Sequence, residues 1–193
     1  MIRFVSGTDT GIGKTVVSAV LARRSLEQGM SVRYVKPLQT GGDDDAAVVR
    51  SAGIDARTLL RFPDPLAPAV AAELSGTTID FDGLVRDTRA CGDGVDVLYV
   101  EGAGGLLVPI TEKHTMADFA EALDAELIVV ARPGLGTLNH TALTIEAAER
   151  RGLHVATIVV SDYTGGRTEE TNLVQLRELG PPIEVLERIA DRH

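Results

Sequence analysis

Cysteine is nearly absent from this sequence of 193 residues, with Cys91 its single example. A lone thiol forms no internal bridge, which excludes a disulfide framework. With no histidine near it in sequence, Cys91 reads as a small half-buried residue in a reducing compartment and not as a catalytic thiol. No apolar run approaches the roughly 18 residues of a membrane-spanning helix, and no charged, apolar and small-residue leader opens the chain. Both absences point to a cytoplasmic protein with no membrane partner. Clusters of lysine or arginine are also missing and the formal net charge is -9. Such a surface repels phosphate backbones, which sets nucleic-acid binding aside and requires any phosphate to be held by a local device. Internal repeats and low-complexity segments are absent. What remains is ordinary for a folded protein, 44% hydrophobic and 24% charged, and the length suits one domain over residues 1–193.

Strand-like and helix-like segments alternate almost throughout, the order that a parallel sheet with crossover helices requires. Strands are expected at residues 2–6, 31–36, 95–100, 127–131 and 155–160, with a shorter extended piece at 106–110. Helices are expected from Lys14 toward Gly29 and over residues 46–51, 66–75, 81–90, 117–123, 137–151 and 169–179. Pro37 is expected to end the second strand, and Pro63, Pro65 and Pro68 to break the chain between two helices. The segment after Pro181-Pro182 has no readable pattern. The expected fold class is α/β: a mostly parallel central sheet flanked by helices, like the P-loop-containing nucleotide hydrolases.

Each polar motif falls at the carboxyl end of a strand, where such sheets gather ligands. Residues 7–15, Gly-Thr-Asp-Thr-Gly-Ile-Gly-Lys-Thr, set glycines, a lysine and a hydroxyl between a buried strand and an amphipathic helix. Glycines let backbone N–H groups close on phosphate oxygens, Lys14 reaches terminal phosphates, and Thr15 offers a hydroxyl to a Mg²⁺ shell. The usual loop has four residues between its glycines, whereas Gly7 and Gly13 enclose five. Lys36 closes the second strand, with Thr40 following; it is either aimed at the cleft or an ordinary strand-end lysine in solvent. The run Asp43-Asp44-Asp45 opens a helix, and its carboxylates serve as caps, solvated charges or metal ligands. Glu101 ends an apolar strand and precedes Gly-Ala-Gly-Gly, the place where nucleotide hydrolases put the carboxylate that orients Mg²⁺ or its waters. His114, His140, His154 and His193 show no metal-like spacing.

Taken together, Gly7-Thr8-Asp9-Thr10 with Gly13-Lys14-Thr15, Lys36-Pro37 with Thr40-Gly41, and Val100-Glu101-Gly102-Ala103-Gly104-Gly105 resemble the dethiobiotin synthetase family, whose own first loop has the five-residue spacing. Pro65 with Pro68, and residues 135–141, match as well. The resemblance implies an ATP- and Mg²⁺-dependent ligase of biotin biosynthesis. In that reaction 7,8-diaminopelargonate takes up CO₂ as a carbamate, the carbamate is phosphorylated, and the second amine displaces phosphate to close the ring. It further implies catalytic roles for Lys14 and Lys36, and a nucleotide site built from Gly11, Ile12, Gly13, Lys14, Thr15, Val16, Asp45, Glu101, Gly102, Ala103, Gly104, Ser161 and Asp162. Thr15, Asp45 and Glu101 would hold Mg²⁺. Thr10, Lys36 and Thr40 would position the substrate, whose carboxylate tail is held across a homodimer interface by Gly136, Thr137, Leu138, Asn139 and Asn172. Ser161-Asp162 stands where the family has Asn-Asp, Ile189-Ala190 where it has an Ile-Pro loop lining the base, and Gly11 where some relatives have glutamate. Weak discrimination among nucleoside triphosphates is therefore expected. Regulatory ATPase switches share this fold, but they place a second lysine directly after the first loop glycine, where Thr8 stands here.

Overall fold

The structure, a computed structural model, describes residues 1–188. Seven strands form one sheet in the order β3-β2-β4-β1-β5-β6-β7, and all of its pairings are parallel. The strands are β1 (Ile2–Gly7), β2 (Val32–Thr40), β3 (Asp55–Phe62), β4 (Val97–Gly105), β5 (Glu126–Ala131), β6 (Val155–Tyr163) and β7 (Ile183–Glu187). The crossovers are α1 (Lys14–Glu27), α2 (Asp45–Ser51), α3 (Pro68–Leu74), α4 (Phe81–Ala90), α5 (Met116–Ala122), α6 (Thr137–Glu149) and α7 (Arg167–Arg177). Among the described residues no helix is long and apolar enough to cross a membrane.

The period-2 alternation of the central strands divides their apolar side chains between two cores. Phe4, Val35, Leu98, Val100 and Leu127 face α3, α4 and α5, while Val5, Tyr34, Tyr99, Ile128 and Val130 face α1 and α2. Burial on both faces is why these strands read as near-continuous apolar runs in the sequence. α5 starts on a capping box, Thr115 and Asp118 each satisfying the other's backbone N–H.

Two sequence expectations are corrected, and two strands are added. β2 does not stop at Pro37 but continues to Thr40. Pro37 lies beyond Val35↔Val100, the last pairing with β4, and falls between the Lys36↔Thr58 and Leu38↔Leu60 pairs with β3, so its missing donor breaks no ladder bond named in either register. Residues 106–110 form a turn with one isolated bridge, Pro109↔Thr115, and their apolar residues Leu106 and Ile110 plug the core from a loop. β3 and β7 carried no expectation at all, and they are the two edges of the sheet.

β2 and β4 have no named pairing past Val35↔Val100. β4 then runs on through its glycines against β1, where Gly7 pairs with Gly105. A methyl group at Gly102 would lie 3.0 Å from the Phe4 ring, so only glycine lets this backbone pass so close.

Candidate active site

Glu101, at the bend of β4, is 1% exposed and accepts four hydrogen bonds. They come from Thr15 Oγ1 (3.0 Å), Ser18 Oγ (3.2 Å), Tyr34 OH (2.9 Å) and Lys36 Nζ (2.7 Å). A carboxylate so deep is tolerable only because every lone pair has a partner. Lys36 is itself 4% exposed, with Nζ also 2.6 Å from Asp45 Oδ2 and 3.2 Å from the Gly102 carbonyl. Of the two readings open for Lys36, the solvent-facing one is therefore wrong. Burial pulls its pKa down, but the Glu101 and Asp45 carboxylates outweigh burial and raise it, so the ammonium is kept. Tyr34, two residues earlier on the same strand face, is pushed far up by burial and then by Glu101, which makes its phenol a permanent donor.

The acidic run is sorted by position. Asp44 caps α2, accepting from Ala47 N at 3.0 Å, and pairs with Arg61 at 2.8 Å; Asp43 faces solvent; Asp45 turns inward to Lys36. Burial raises the Asp45 pKa and the Lys36 ammonium lowers it further than that, leaving it below the usual carboxylate range.

Lys14 opens α1, just after Gly13, whose backbone is left-handed at φ 88°. Lysine occurs only three times in the chain, and two of the three are buried and near enough to repel each other. Lys14 Nζ donates to the Asp9 carbonyl at 3.1 Å and, among the described residues, makes no salt bridge. Burial and then repulsion from Lys36 lower its pKa, so it is a desolvated cation awaiting an anion. Binding of a triphosphate should raise its proton affinity again, so in alkaline solution, where this lysine begins to lose its proton, binding should take up protons. Calorimetry in buffers of different ionisation enthalpy reads this directly; proton release on binding contradicts it. Gly7 closes the loop tightly: a methyl group there would lie 2.6 Å from the Asp9 carbonyl and 3.0 Å from Lys14 Nζ.

A cleft of about 520 Å³ runs from this loop, past Thr10, Gly11, Ile12, Gly13 and Val16, to Ser161, Asp162 and Arg188 at the ends of β6 and β7. Ser161 is buried against Gly13, where an added methyl group would lie 2.7 Å from Ser161 Oγ. Asp162, with φ 64°, is held by both arms of Arg188 at 2.7 and 2.6 Å. Ala103 and Gly104 continue β4 and Thr40 ends β2, and none of the three lines this cleft. Gly136, Thr137, Leu138 and Asn139 start α6, Gly136 as its left-handed cap, and they do not line it either. Asn172 is buried and spends its amide hydrogens on the carbonyls of Pro133 and Gly134, at 2.9 and 3.2 Å, so within one chain it shapes the loop before α6. Ile189-Ala190 lies outside the described residues.

Sequence reasoning missed Ser18, Tyr34 and Arg132. Ser18 sits three residues after Thr15 on the buried face of α1, beside Val17 and Leu21; a hydroxyl on an apolar helix face was the available signal. Arg132 follows the last residue of β5, pairs with Asp9 and lines the cleft.

The chain matches the family model described as an AAA domain over residues 3–190. It is 48% identical over 167 residues to the ATP-dependent dethiobiotin synthetase of Anaeromyxobacter sp. (strain K), covering 82% of this chain and 75% of that protein. The enzymes of the same name from Rhodococcus jostii (strain RHA1) and Mycolicibacterium gilvum (strain PYR-GCK) are 47% and 46% identical. The first covers 91% of this chain and 80% of its own, the second 93% and 84%. Among solved structures, the cell division ATPase MinD of Pyrococcus furiosus superposes with a TM-score of 0.66 at 18% identity, covering 97% of this chain and 83% of that one. A ParA family ATPase from Chlorobium tepidum TLS gives 0.64 at 14%, covering 98% and 85%. At such identities these two show the fold alone.

Proposed function

This chain belongs to the ATP-dependent dethiobiotin synthetase family and is an ATP-dependent ligase, and we propose that it closes the cyclic urea of dethiobiotin from 7,8-diaminopelargonate, CO₂ and ATP. The observation that carries this reading is the closeness of two buried lysines, one braced by Glu101 and Asp45 and the other held in the phosphate loop by the Asp9 carbonyl, without a salt bridge among the described residues. A carbamate meeting a triphosphate brings several negative charges together. Fixed ammonium groups in a desolvated pocket are worth most at that moment. The carbamate oxygen attacks the γ-phosphorus and ADP departs; the second amine then attacks the carbonyl carbon and phosphate departs with that oxygen. The carbamate brings its own nucleophile, so the chain supplies position and charge and no strong base. Thr10 and Thr40 hold the diamine end, and the N–H groups of residues 11–16 wrap the phosphates.

The donor set suits Mg²⁺: two carboxylates, Asp45 and Glu101, and the Thr15 hydroxyl are all hard oxygen ligands. The single ammonium that bonds both carboxylates supports a pocket that holds positive charge. Among the described residues no group of three or more His, Cys, Asp or Glu gathers at all, and here two carboxylates are joined by a hydroxyl. When bound there, the cation supplies neutralisation of the phosphate oxygens.

Incubating the protein with the diamine, bicarbonate, Mg²⁺ and ATP and analysing by mass tests the reading. Dethiobiotin that depends on each component is expected; its absence removes the assignment. Replacing ATP with CTP, GTP or UTP should keep turnover within about tenfold, because the Ser161 hydroxyl is packed against the phosphate loop and Asp162 is spent on Arg188, leaving few edge-reading groups. Rates for all three far below that with ATP contradict this. We infer a homodimer as well. Leu135, 88% exposed, sits one residue before the α6 cap, with Leu143 on the same helix and Leu107 also exposed, apolar surface that a second copy would cover. Gel filtration at micromolar concentration should give a dimer, and a monomer alone counts against it.

A further inference from the structure

A carboxylate belongs to the phosphate loop itself. Asp9 is the third residue of the loop, and its Oδ1 accepts the Thr10 N–H at 2.8 Å, which keeps the loop in shape, while its carbonyl receives Lys14. The hydrogen bond from Thr10 N is the main cause that holds this carboxyl below its usual range, so it is charged at neutral pH. Its charge is felt at Lys14, where it raises that lysine's proton affinity. A triphosphate drawn to Lys14 meets the same field with the opposite sign. Among the described residues, the one cation paired with Asp9 comes from outside the loop: Arg132, just past the end of β5, bonds Asp9 Oδ2 through Nη2.

We propose that Arg132 is a positioning residue for nucleotide binding, which acts by neutralising Asp9 so that the loop keeps the hydrogen bonds of that side chain without repelling the phosphates. The inference rests on the reading of residues 7–15 as the triphosphate site. It explains why Arg132, whose Nε is buried with no partner among the described residues, still turns its Nη2 to the loop, although both side chains are partly exposed and the pair alone adds little to the fold. Arginine suits the task because its charge is permanent, so Asp9 stays neutralised whatever happens at Lys14.

Calorimetric titration of ATP into four proteins tests it: the parent, Arg132→Ala, Asp9→Asn, and the double variant. Arg132→Ala should weaken binding about tenfold at low salt, and the loss should shrink at 0.5 M salt because both groups reach solvent. Asp9→Asn retains an oxygen for Thr10 N–H and should bind at least as tightly as the parent. The double variant should recover to within about threefold of the parent, since no unscreened charge remains. Three results overturn the inference: unchanged affinity in Arg132→Ala; an equal loss in the double variant, which would mean that Arg132 touches the phosphates directly; or a melting temperature of Arg132→Ala so lowered that the loss reflects unfolding. Failure of the parent to bind ATP at all would instead sink the reading of the loop.

Discussion

Replacing Glu101 with alanine should remove about 3 kcal/mol or more of folding stability, a large share of the roughly 5–15 kcal/mol of a typical domain. The carboxylate is buried and takes four hydrogen bonds. Its loss strands the Tyr34 phenol and the Ser18 hydroxyl inside the core and leaves Lys36 with Asp45 as its one counter-charge. Glu101→Gln keeps the shape and an acceptor oxygen, so it should fall between the two in urea unfolding while still losing turnover, because the negative charge that braces Lys36 is gone. An alanine variant within about 0.5 kcal/mol of the parent, the range of ordinary surface changes, would show that this network does not hold the fold.

The second large effect separates the two lysines. Lys36→Ala should lower dethiobiotin formation by about a thousandfold, the scale of one pre-set charge in a dry site, while ATP affinity stays within about threefold. Lys14→Ala should damage both, with affinity falling by at least about tenfold. The difference follows from their surroundings: Lys36 is anchored on β2 by two carboxylates at 2.6 and 2.7 Å, whereas Lys14 sits in the loop with a single backbone carbonyl. Turnover in the Lys36 variant equal to that of the parent removes its assigned role. Lys36→Arg is not a conservative control, because a planar fork cannot occupy the site of a point charge bonded to two carboxylates and a carbonyl.

Much of this was legible in the sequence, and the misses share a physical cause. Internal strands such as Glu126–Ala131 are buried on both faces and read as unbroken apolar runs. Edge strands are not. In β3, Arg57 and Arg61 point to solvent between buried positions, and β7 has five residues, none fully buried. Residues 106–110 failed in the other direction, since apolar character reported burial of Leu106 and Ile110 but not extended backbone. Among the candidate site residues, position in the loop and at a strand end singled out Lys14 and Glu101, and the family resemblance named Lys36 and Asp45, but neither said which partner each takes. Tyr34 and Ser18 reach Glu101 from 67 and 83 residues away in the chain, and only the pairing of β2, β4 and β1 and the packing of α1 bring them there. Arg132 obeys the same strand-end rule as the recognised motifs, but it lies 123 residues from Asp9.

The central claim is that a carbamate oxygen attacks the γ-phosphoryl group between Lys14 and Lys36. A brief incubation with bicarbonate carrying heavy oxygen, the diamine, Mg²⁺ and ATP, quenched before exchange with water, allows the released phosphate to be weighed. One heavy oxygen in each phosphate formed with dethiobiotin is predicted. Unlabelled phosphate accompanying labelled dethiobiotin would contradict the account.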